Sequence, residues 1–410
     1  MPAASPKPQA DMNTKRKVCF PITNRAYYGR SQLLLRKLQA HPDIELKLML
    51  GGSILLDKYS RHIADDIQAG GFEIASSLFN VIEGGNHVAM AKTACLTALE
   101  FTNEFYTTNP DVVVICGDRF EQLAIAMAAA YLNITIAHIE GGDVTGSIDE
   151  SVRHAITKLA HLHFVTNADA ERRVLAMGED PQYVFNTGSL DVELAASIDT
   201  AITSDEINSF GVGYAIDVER PFVMVVQHPV TTEADNRLHL ETTLRAVAAL
   251  EVPAIWFWPN ADAGTGEMAD SLRHMRERHP ELTARMRFIT NVPADRFVAL
   301  LANAACLVGN SSAGIKECSH LGTPVVNIGG RQHGRLSAEH VTHVGYDPAE
   351  IAAAVAAQLA HGPYPASTIY HRDNASDAVV DVLASAELYT QKRFFDADST
   401  KPQAPSPKPS

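Results

Sequence analysis

The sequence predicts an α/β protein of two similar-sized domains facing one another, and three observations carry that prediction. Short apolar runs alternate with longer segments of helical spacing through the whole middle of the chain. The alternation restarts after residue 200. The candidate strands also outnumber the roughly eight that a single (β/α)₈ barrel needs, and the barrel is the competing architecture.

In the first half, residues 18–23, 44–50, 112–116 and 134–139 read as strands because they are short, apolar and rich in β-branched side chains. Residues 30–40, 87–106 and 120–132 have helical spacing and join them. Strands apolar on both faces and linked by helices make a parallel sheet. The second half repeats the scheme, with candidate strands at 222–226, 254–257, 286–289, 306–308 and 324–328. The join falls within 195–220, around Gly211-Val212-Gly213. The two ends, 1–16 and 396–410, are rich in Pro, Lys, Ser and Ala. Such composition buries too little apolar surface to fold, so solvated tails are expected there.

Composition narrows the function. The 410 residues contain 34 Lys and Arg against 48 Asp and Glu, a formal charge of −14. That balance opposes a protein built to hold nucleic acid or an anionic membrane surface. No apolar run approaches the ~18 residues of a membrane span, and the N-terminus lacks the apolar core of a signal peptide. A cytoplasmic location is expected. The cysteines, at 19, 95, 116, 306 and 318, are odd in number and contain no C-x-x-C pair, so neither a disulfide framework nor a zinc site is expected.

In open α/β sheets ligands bind beyond the carboxyl ends of the strands, so the residues following each apolar run are the first candidates. The first strand leads into Asn24-Arg25-Ala26-Tyr27-Tyr28, with no dinucleotide fingerprint, and Arg25 is placed to hold a phosphate. The strand at 112–116 ends in Gly117-Asp118-Arg119, and that at 134–139 in Glu140-Gly141-Gly142. Carboxylates beside apolar runs must be paired, hydrogen-bonded or functional. Desolvation would raise their pKa toward a range suited to acid/base chemistry. The structural alternative pairs Asp118 with Arg119 or makes it a helix cap. Ser147-Ile148-Asp149-Glu150 reads as a capping box, opening a helix that brings Asp149, Arg153 and His154 toward the same edge.

The second half offers different chemistry. Its strands end in Gln227-His228-Pro229, in Trp258-Pro259-Asn260, in Gly309-Asn310-Ser311-Ser312 and in Gly329-Gly330-Arg331. A loop of small residues opening a helix exposes backbone N–H groups, here from about Ile315 with Glu317 in the first turn, and suits a diphosphate. It is not a Walker loop. His161 and His163 are spaced like a metal pair but lack a partner cluster, and they read as ordinary core or surface histidines. No G-x-S-x-G motif is present.

Four ordered blocks, GDRFEQLAIAMAAAYLNITIAHIEGGDVTGSIDESVRHAITKLAH (117–161), QHPVTT (227–232), WPNADAG (258–264) and GNSSAGIKE (309–317), resemble the hydrolysing UDP-N-acetylglucosamine 2-epimerase family, including the epimerase half of the bifunctional sialic-acid-pathway enzyme. The similarity runs from about residue 17 to about residue 370. It implies two Rossmann-like domains facing across a cleft, in a glycosyltransferase-B type architecture. Residues 17–195 would form the N-terminal domain with the catalytic acids, residues 196–372 the UDP-binding domain, and 373–395 a helix crossing back onto the first domain.

The implied reaction is anti elimination of UDP to a 2-acetamidoglucal followed by hydration to N-acetylmannosamine. By the resemblance, Asp118, Glu140 and Asp149 share the proton transfers. Arg25, His228, Ser311, Ser312 and Arg331 meet the diphosphate, with Gly309 in its loop and Arg119 beside the acids. Asn260 and Glu317 fix the UDP, and His154 orients Asp149 or the sugar. The implied partner is a UDP-sugar, with no cofactor and no metal, and the assembly a homodimer or homotetramer.

The sister group of non-hydrolysing epimerases usually carries an acidic pair after its H-x-E-A-G block. This chain has Glu140-Gly141-Gly142-Asp143 through Asp149 there, which favours the hydrolysing branch. One position departs from the family: Tyr27 stands where an acidic residue is common. It points to a modified sugar, such as a 2,4-diacetamido-2,4,6-trideoxyhexose, as the alternative substrate. A glycosyltransferase, or an inactive nucleotide-sugar sensor, on the same fold are the other readings. No kinase domain is expected after the epimerase module.

Overall fold

The computed structural model describes residues 15–57, 63–259 and 263–396. Within them lie two separate seven-stranded sheets, so the single barrel is excluded. The first contains β1 (Arg16–Ile22), β2 (Ile44–Gly51), β3 (Ile74–Leu78), β4 (Val112–Cys116), β5 (Thr135–Ile139), β6 (Leu162–Val165) and β7 (Val184–Asn186). They lie in the order β3-β2-β1-β4-β5-β6-β7, and every pair is parallel. The second contains β8 (Val212–Gly213), β9 (Val223–Val226), β10 (Ala254–Phe257), β11 (Met286–Ile289), β12 (Cys306–Gly309), β13 (Val325–Ile328) and β14 (Val341–Val344). Its order is β14-β13-β12-β9-β10-β11-β8, parallel except where the two residues of β8 run against β11.

The apolar-run criterion finds the buried central strands and passes over β3, β6, β7, β8 and β14. β3 carries two serines and is only partly buried, and β14 turns two residues to solvent, so neither shows a continuous apolar run. Arg16, assigned to the tail by composition, is the first residue of β1. Both sheets reverse their winding once, between β1 and β4 in the first and between β9 and β12 in the second. A crevice opens at the carboxyl ends of the strands at such a point.

Helices cover both sheets because their apolar residues recur at helical spacing. Helix Arg25–Ala40 starts where Asn24 Oδ1 accepts the Tyr27 N–H at 3.0 Å, and it buries Tyr27, Tyr28, Ser31, Leu34, Leu35 and Leu38 as one stripe. Helix Ala375–Ser385, which follows the second domain in sequence, packs into the core of the first. Ala375, Val379, Val380 and Leu383 join the cluster formed by Leu34, Leu38 and β1. Arg16 donates to the carbonyls of Leu383 at 2.5 Å and Ala386 at 3.1 Å, and Lys37 pairs with Asp377 at 2.7 Å.

The chain continues beneath the first sheet. Lys392 meets Glu179 at 2.6 Å, the Tyr389 hydroxyl donates to the His161 carbonyl at 3.2 Å, and His163 Nε2 lies 3.1 Å from Glu179. His161 and His163 are thus core residues engaged in packing and hydrogen bonds. No helix among the described residues is long and apolar enough to cross a membrane.

The docking of the last helix rests on apolar burial more than on its exposed ion pair. Leu383→Ala should lower the stability of the full chain by about 2–5 kcal/mol, whereas Lys37→Ala should cost under about 1 kcal/mol. Urea unfolding followed by tryptophan fluorescence and far-UV dichroism tests the order. Equal losses from both substitutions would contradict it.

Candidate active site between the domains

The carboxyl edges of the two sheets meet. Gly264 N donates to Gly85 O at 3.1 Å, Gly146 N to Arg331 O at 3.1 Å, and Arg25 Nη2 to Thr290 O at 3.3 Å. His87 Nε2 lies 3.0 Å from Thr231 O. Loops that follow β9, β10, β11 and β13 therefore touch loops that follow β1, β3 and β5. Of the residues selected from strand ends, Arg25 and Arg331 take part in these contacts, and Glu140 meets Lys316 of the second domain.

Asp118 sits on a turn held from three sides. Gly117 has φ +80, and a side chain there would meet the Tyr27 hydroxyl at 2.7 Å, so only glycine fits. The Tyr27 hydroxyl oxygen accepts from Asp118 N at 3.3 Å and Arg119 N at 3.2 Å, while His138 Nε2 lies 3.0 Å from the Gly117 carbonyl. The Asp118 carboxylate pairs with Arg153, whose guanidinium is buried and also donates to Asp143 O at 2.9 Å. Its cation is thus Arg153 and not Arg119, which caps the helix Phe120–Tyr131 and pairs with Glu121 at 3.2 Å. Tyr27, only 3% exposed, leaves little surface for a sugar and acts on the placement of Asp118.

Glu140 adopts φ +72, an unusual backbone conformation for a residue with a side chain. Strain of this kind, about 1–3 kcal/mol, concentrates at functional sites. One carboxylate oxygen takes Arg30 at 2.9 Å and the other Lys316 at 2.5 Å. Burial pushes the carboxyl upward, but Lys316 and Arg30 outweigh it and hold Glu140 well below the usual carboxylate range. The expectation of a raised pKa is reversed here, because spacing along the chain does not show two cations arriving from other elements.

Asp149 opens the helix Ile148–Leu159 and accepts the Ser147 hydroxyl at 2.9 Å. It pairs with no cation among the described residues. The capping box is altered: Glu150 takes the Thr145 N–H at 2.8 Å instead of that of Ser147. His154 faces Glu150 at 4.0 Å, not Asp149, and burial and then Arg153 lower its pKa.

Across the junction the second domain presents its own rim. Gly309 has φ +133 and lies against the Val226 carbonyl, where a β-carbon would overlap that oxygen. Asn310 joins three strand ends. Its Oδ1 accepts His228 N at 2.8 Å, its Nδ2 donates to His228 O at 2.9 Å, and its carbonyl takes Arg331 Nη1 at 3.1 Å and Gln332 Nε2 at 2.9 Å. Sequence reasoning quoted Asn310 without giving it a role. Ser311 accepts Ala313 N at 3.3 Å, and a short 3₁₀ turn, Ser312–Gly314, follows.

The expected helix from Ile315 is corrected. The α-helix spans only Glu317–Leu321, so a long helix dipole does not back this loop. Burial, and then Asp191, push Glu317 up to about 8. Asn260 lies outside the described residues. No cluster of His, Cys, Asp and Glu suited to a metal occurs among the described residues.

Comparison with known proteins bears on the family and the fold. A family profile described as UDP-N-acetylglucosamine 2-epimerase matches residues 36–384. The chain is similar to a UDP-N,N'-diacetylbacillosamine 2-epimerase (hydrolyzing) of Legionella pneumophila, 30% identical over 377 residues that cover 92% of this chain and 97% of the relative. It is similar to a UDP-N-acetylglucosamine 2-epimerase of Neisseria meningitidis, 30% identical over 391 residues, 93% of this chain and 99% of the relative. Among solved structures, the UDP-GlcNAc 2-epimerase from Neisseria meningitidis bound to UDP-GlcNAc gives a TM-score of 0.73 at 16% identity, covering 90% of this chain and 99% of that one. The Methanocaldococcus jannaschii enzyme in complex with UDP-GlcNAc and UDP gives 0.72 at 16%, with the same shares covered. At such identity these structures speak for the fold alone, which is α/β of the glycosyltransferase-B type.

Removing the Asn310 amide unpairs the His228 backbone and loosens the rim. Asn310→Ala should destabilise the protein by about 1–3 kcal/mol, read from the midpoint of chemical unfolding. An unchanged midpoint would show that the rim does not depend on this side chain.

Proposed function

The chain belongs to the UDP-N-acetylglucosamine 2-epimerase family, and we propose that it is a hydrolysing nucleotide-sugar 2-epimerase converting UDP-N-acetylglucosamine to UDP and free N-acetylmannosamine. The observation that carries the reading is the opposition of two unlike rims along the carboxyl edges of the two sheets. Three carboxylates, Asp118, Glu140 and Asp149, lie on one side, and the hydroxyl, amide and cationic groups around Gly309–Ser312, His228 and Arg331 on the other.

The chemistry fits those groups. As the C1–O bond breaks, the electron pair leaves with UDP, and donors aimed at the departing diphosphate stabilise it. On this reading His228, Ser311, Ser312, Arg331 and Arg25 would supply those donors. Positive charge developing at C1 acidifies the C2 proton. A carboxylate held ionised, such as Glu140, can then accept it despite low basicity, and its charge also favours the cationic centre. Loss of the proton gives the 2-acetamidoglucal. Water then adds its oxygen to C1, and a proton is delivered to C2 on the opposite face. On this reading Asp149, which accepts the Ser147 hydroxyl, would return that proton, while Asp118 is fixed by Arg153. Glu317 would accept ribose hydroxyls of the nucleotide.

A second substrate deserves equal testing. The Legionella pneumophila relative is by name a diacetylbacillosamine enzyme, at the same 30% identity as the Neisseria meningitidis enzyme named for N-acetylglucosamine. Tyr27, being buried, bears on the choice of sugar only through the placement of Asp118.

Proton NMR in D₂O with UDP-N-acetylglucosamine should show UDP and N-acetylmannosamine deuterated at C2. Glu140→Gln should slow this by about 100-fold or more. Turnover only with the 2,4-diacetamido nucleotide would transfer the activity to that sugar, and turnover of neither would defeat the reading. Glu317 supplies a separate check. Its carboxyl, pushed up to about 8, is protonated in the free protein at neutral pH. Ribose hydroxyls prefer the ionised form, so binding releases a proton and UDP affinity should fall as pH drops below about 8. Calorimetry on the wild type and Glu317→Gln, which should lack this dependence, measures it.

A further inference from the structure

The junction contains a buried charge cluster of which the proposed proton transfers use only Glu140. Glu140, Asp143 and Asp191 supply the acids, and Arg30, Lys316 and Arg335 the bases. Arg30 bridges Glu140 at 2.9 Å and Asp191 at 3.1 Å. Arg335 lies 3.7 Å from Asp143. Lys316, with a side chain 1% exposed, reaches all three acids: Glu140 at 2.5 Å, Asp191 at 3.5 Å and Asp143 at 4.0 Å. It is carried by the second domain, on the turn that begins at Ser312, whose carbonyl accepts the Lys316 N–H at 3.0 Å. Glu140 is carried by the first domain, directly after β5.

We propose that Lys316 is a positioning residue for catalysis: it holds the Glu140 carboxylate ionised and oriented from across the cleft, and so couples the nucleotide loop Gly309–Glu317 to the acid that handles the sugar proton. The proposal deepens the function given above and rests on it. Its physical basis is geometric. The same short turn carries Ser311 and Ser312 on one side and Lys316 four residues after Ser312, so a nucleotide that settles this turn also sets the distance from Lys316 to Glu140. Removal of one charge from a buried pair leaves the other uncompensated, a costly state in a water-poor site. Opening of the domains would have that effect on Glu140 and on the acid beside it.

The surroundings of Glu140 leave Lys316 and Arg30 as the groups that set its charge. Cys116 on β4 is pushed up to about 12 by burial, and His138 on β5 down to about 3, so both stay neutral across the working range. Burial pushes Asp191, on the helix Leu190–Ser197, upward, so a proton shared between the two acids goes to Asp191 first. Arg335 faces the group from the second domain, and Glu317, at about 8, changes only on the alkaline side.

The test is a double-substitution cycle of wild type, Glu140→Gln, Lys316→Met and the pair together, assayed for UDP release over a range of pH. Lys316→Met should lower kcat by about 100-fold while UDP affinity by calorimetry changes less than about fivefold. Its acid limb should move upward by about one pH unit or more, because Glu140 loses a cation. Lys316→Arg should return the limb toward wild type.

The paired variant removes one charge of each sign, so the remaining cluster is balanced. It should be no slower than Glu140→Gln alone, since Lys316 acts through Glu140. If Lys316→Met does not fold, this last comparison still decides. Near-wild-type turnover and an unmoved limb in Lys316→Met would overturn the coupling, as would a paired variant slower than Glu140→Gln by a further large factor. A wild type that binds UDP but releases none from either nucleotide sugar overturns the catalytic reading, and the coupling with it. Active wild type with an indifferent Lys316 overturns the coupling alone.

Discussion

Parallel strands put all their carboxyl ends on one edge of a sheet, and the molecule is organised by setting two such edges against each other. A single edge offers a crevice at its winding reversal, between β1 and β4 or between β9 and β12. Two opposed edges bring together side chains separated by well over a hundred residues, as in the contact of Glu140 with Lys316. The requirement on each strand is modest: it must be apolar enough to be buried and must end in residues that can turn sharply. Gly117 and Gly309 meet that second condition with positive φ angles next to occupied space.

Electrostatics then determines what the opposed edges can do. Burying carboxylates is unfavourable unless each has partners, and the first domain provides them in different ways. Asp118 has a buried guanidinium, Glu140 has cations from both domains, and Asp149 has a hydroxyl at the start of a helix. Three acids that look alike in the sequence thus have three different sets of partners. The overall charge of −14 has little bearing on this, because the cations that matter are local and buried.

The central strands were legible because burial on both faces leaves a continuous apolar run, as in Val112–Cys116, Ala254–Phe257 and Met286–Ile289. The edges were not. β8 is two exposed residues and β14 alternates with solvent, so their pairing is decided by neighbours and not by their own composition. At the site, the acids could be found because polar residues abut apolar runs. Their partners could not: Arg153 reaches Asp118 from a helix 35 residues on, and Lys316 reaches Glu140 from 176 residues on. The direction of the Glu140 pKa is illegible in the sequence for that reason, and the end of the loop at Ile315 because a glycine-flanked turn and a helix start share the same small residues.

The last helix has a consequence for the order of assembly. Val379 and Leu383 line the same core as Leu34 and Leu38. A ribosome therefore finishes the second sheet while the first still lacks one wall, and the half made earliest is the half completed last. Domains commonly fold in the order they are synthesised. Here the nascent first domain must wait with apolar surface uncovered for almost the whole length of its successor, a period in which a chaperone would find a site that the finished protein no longer shows.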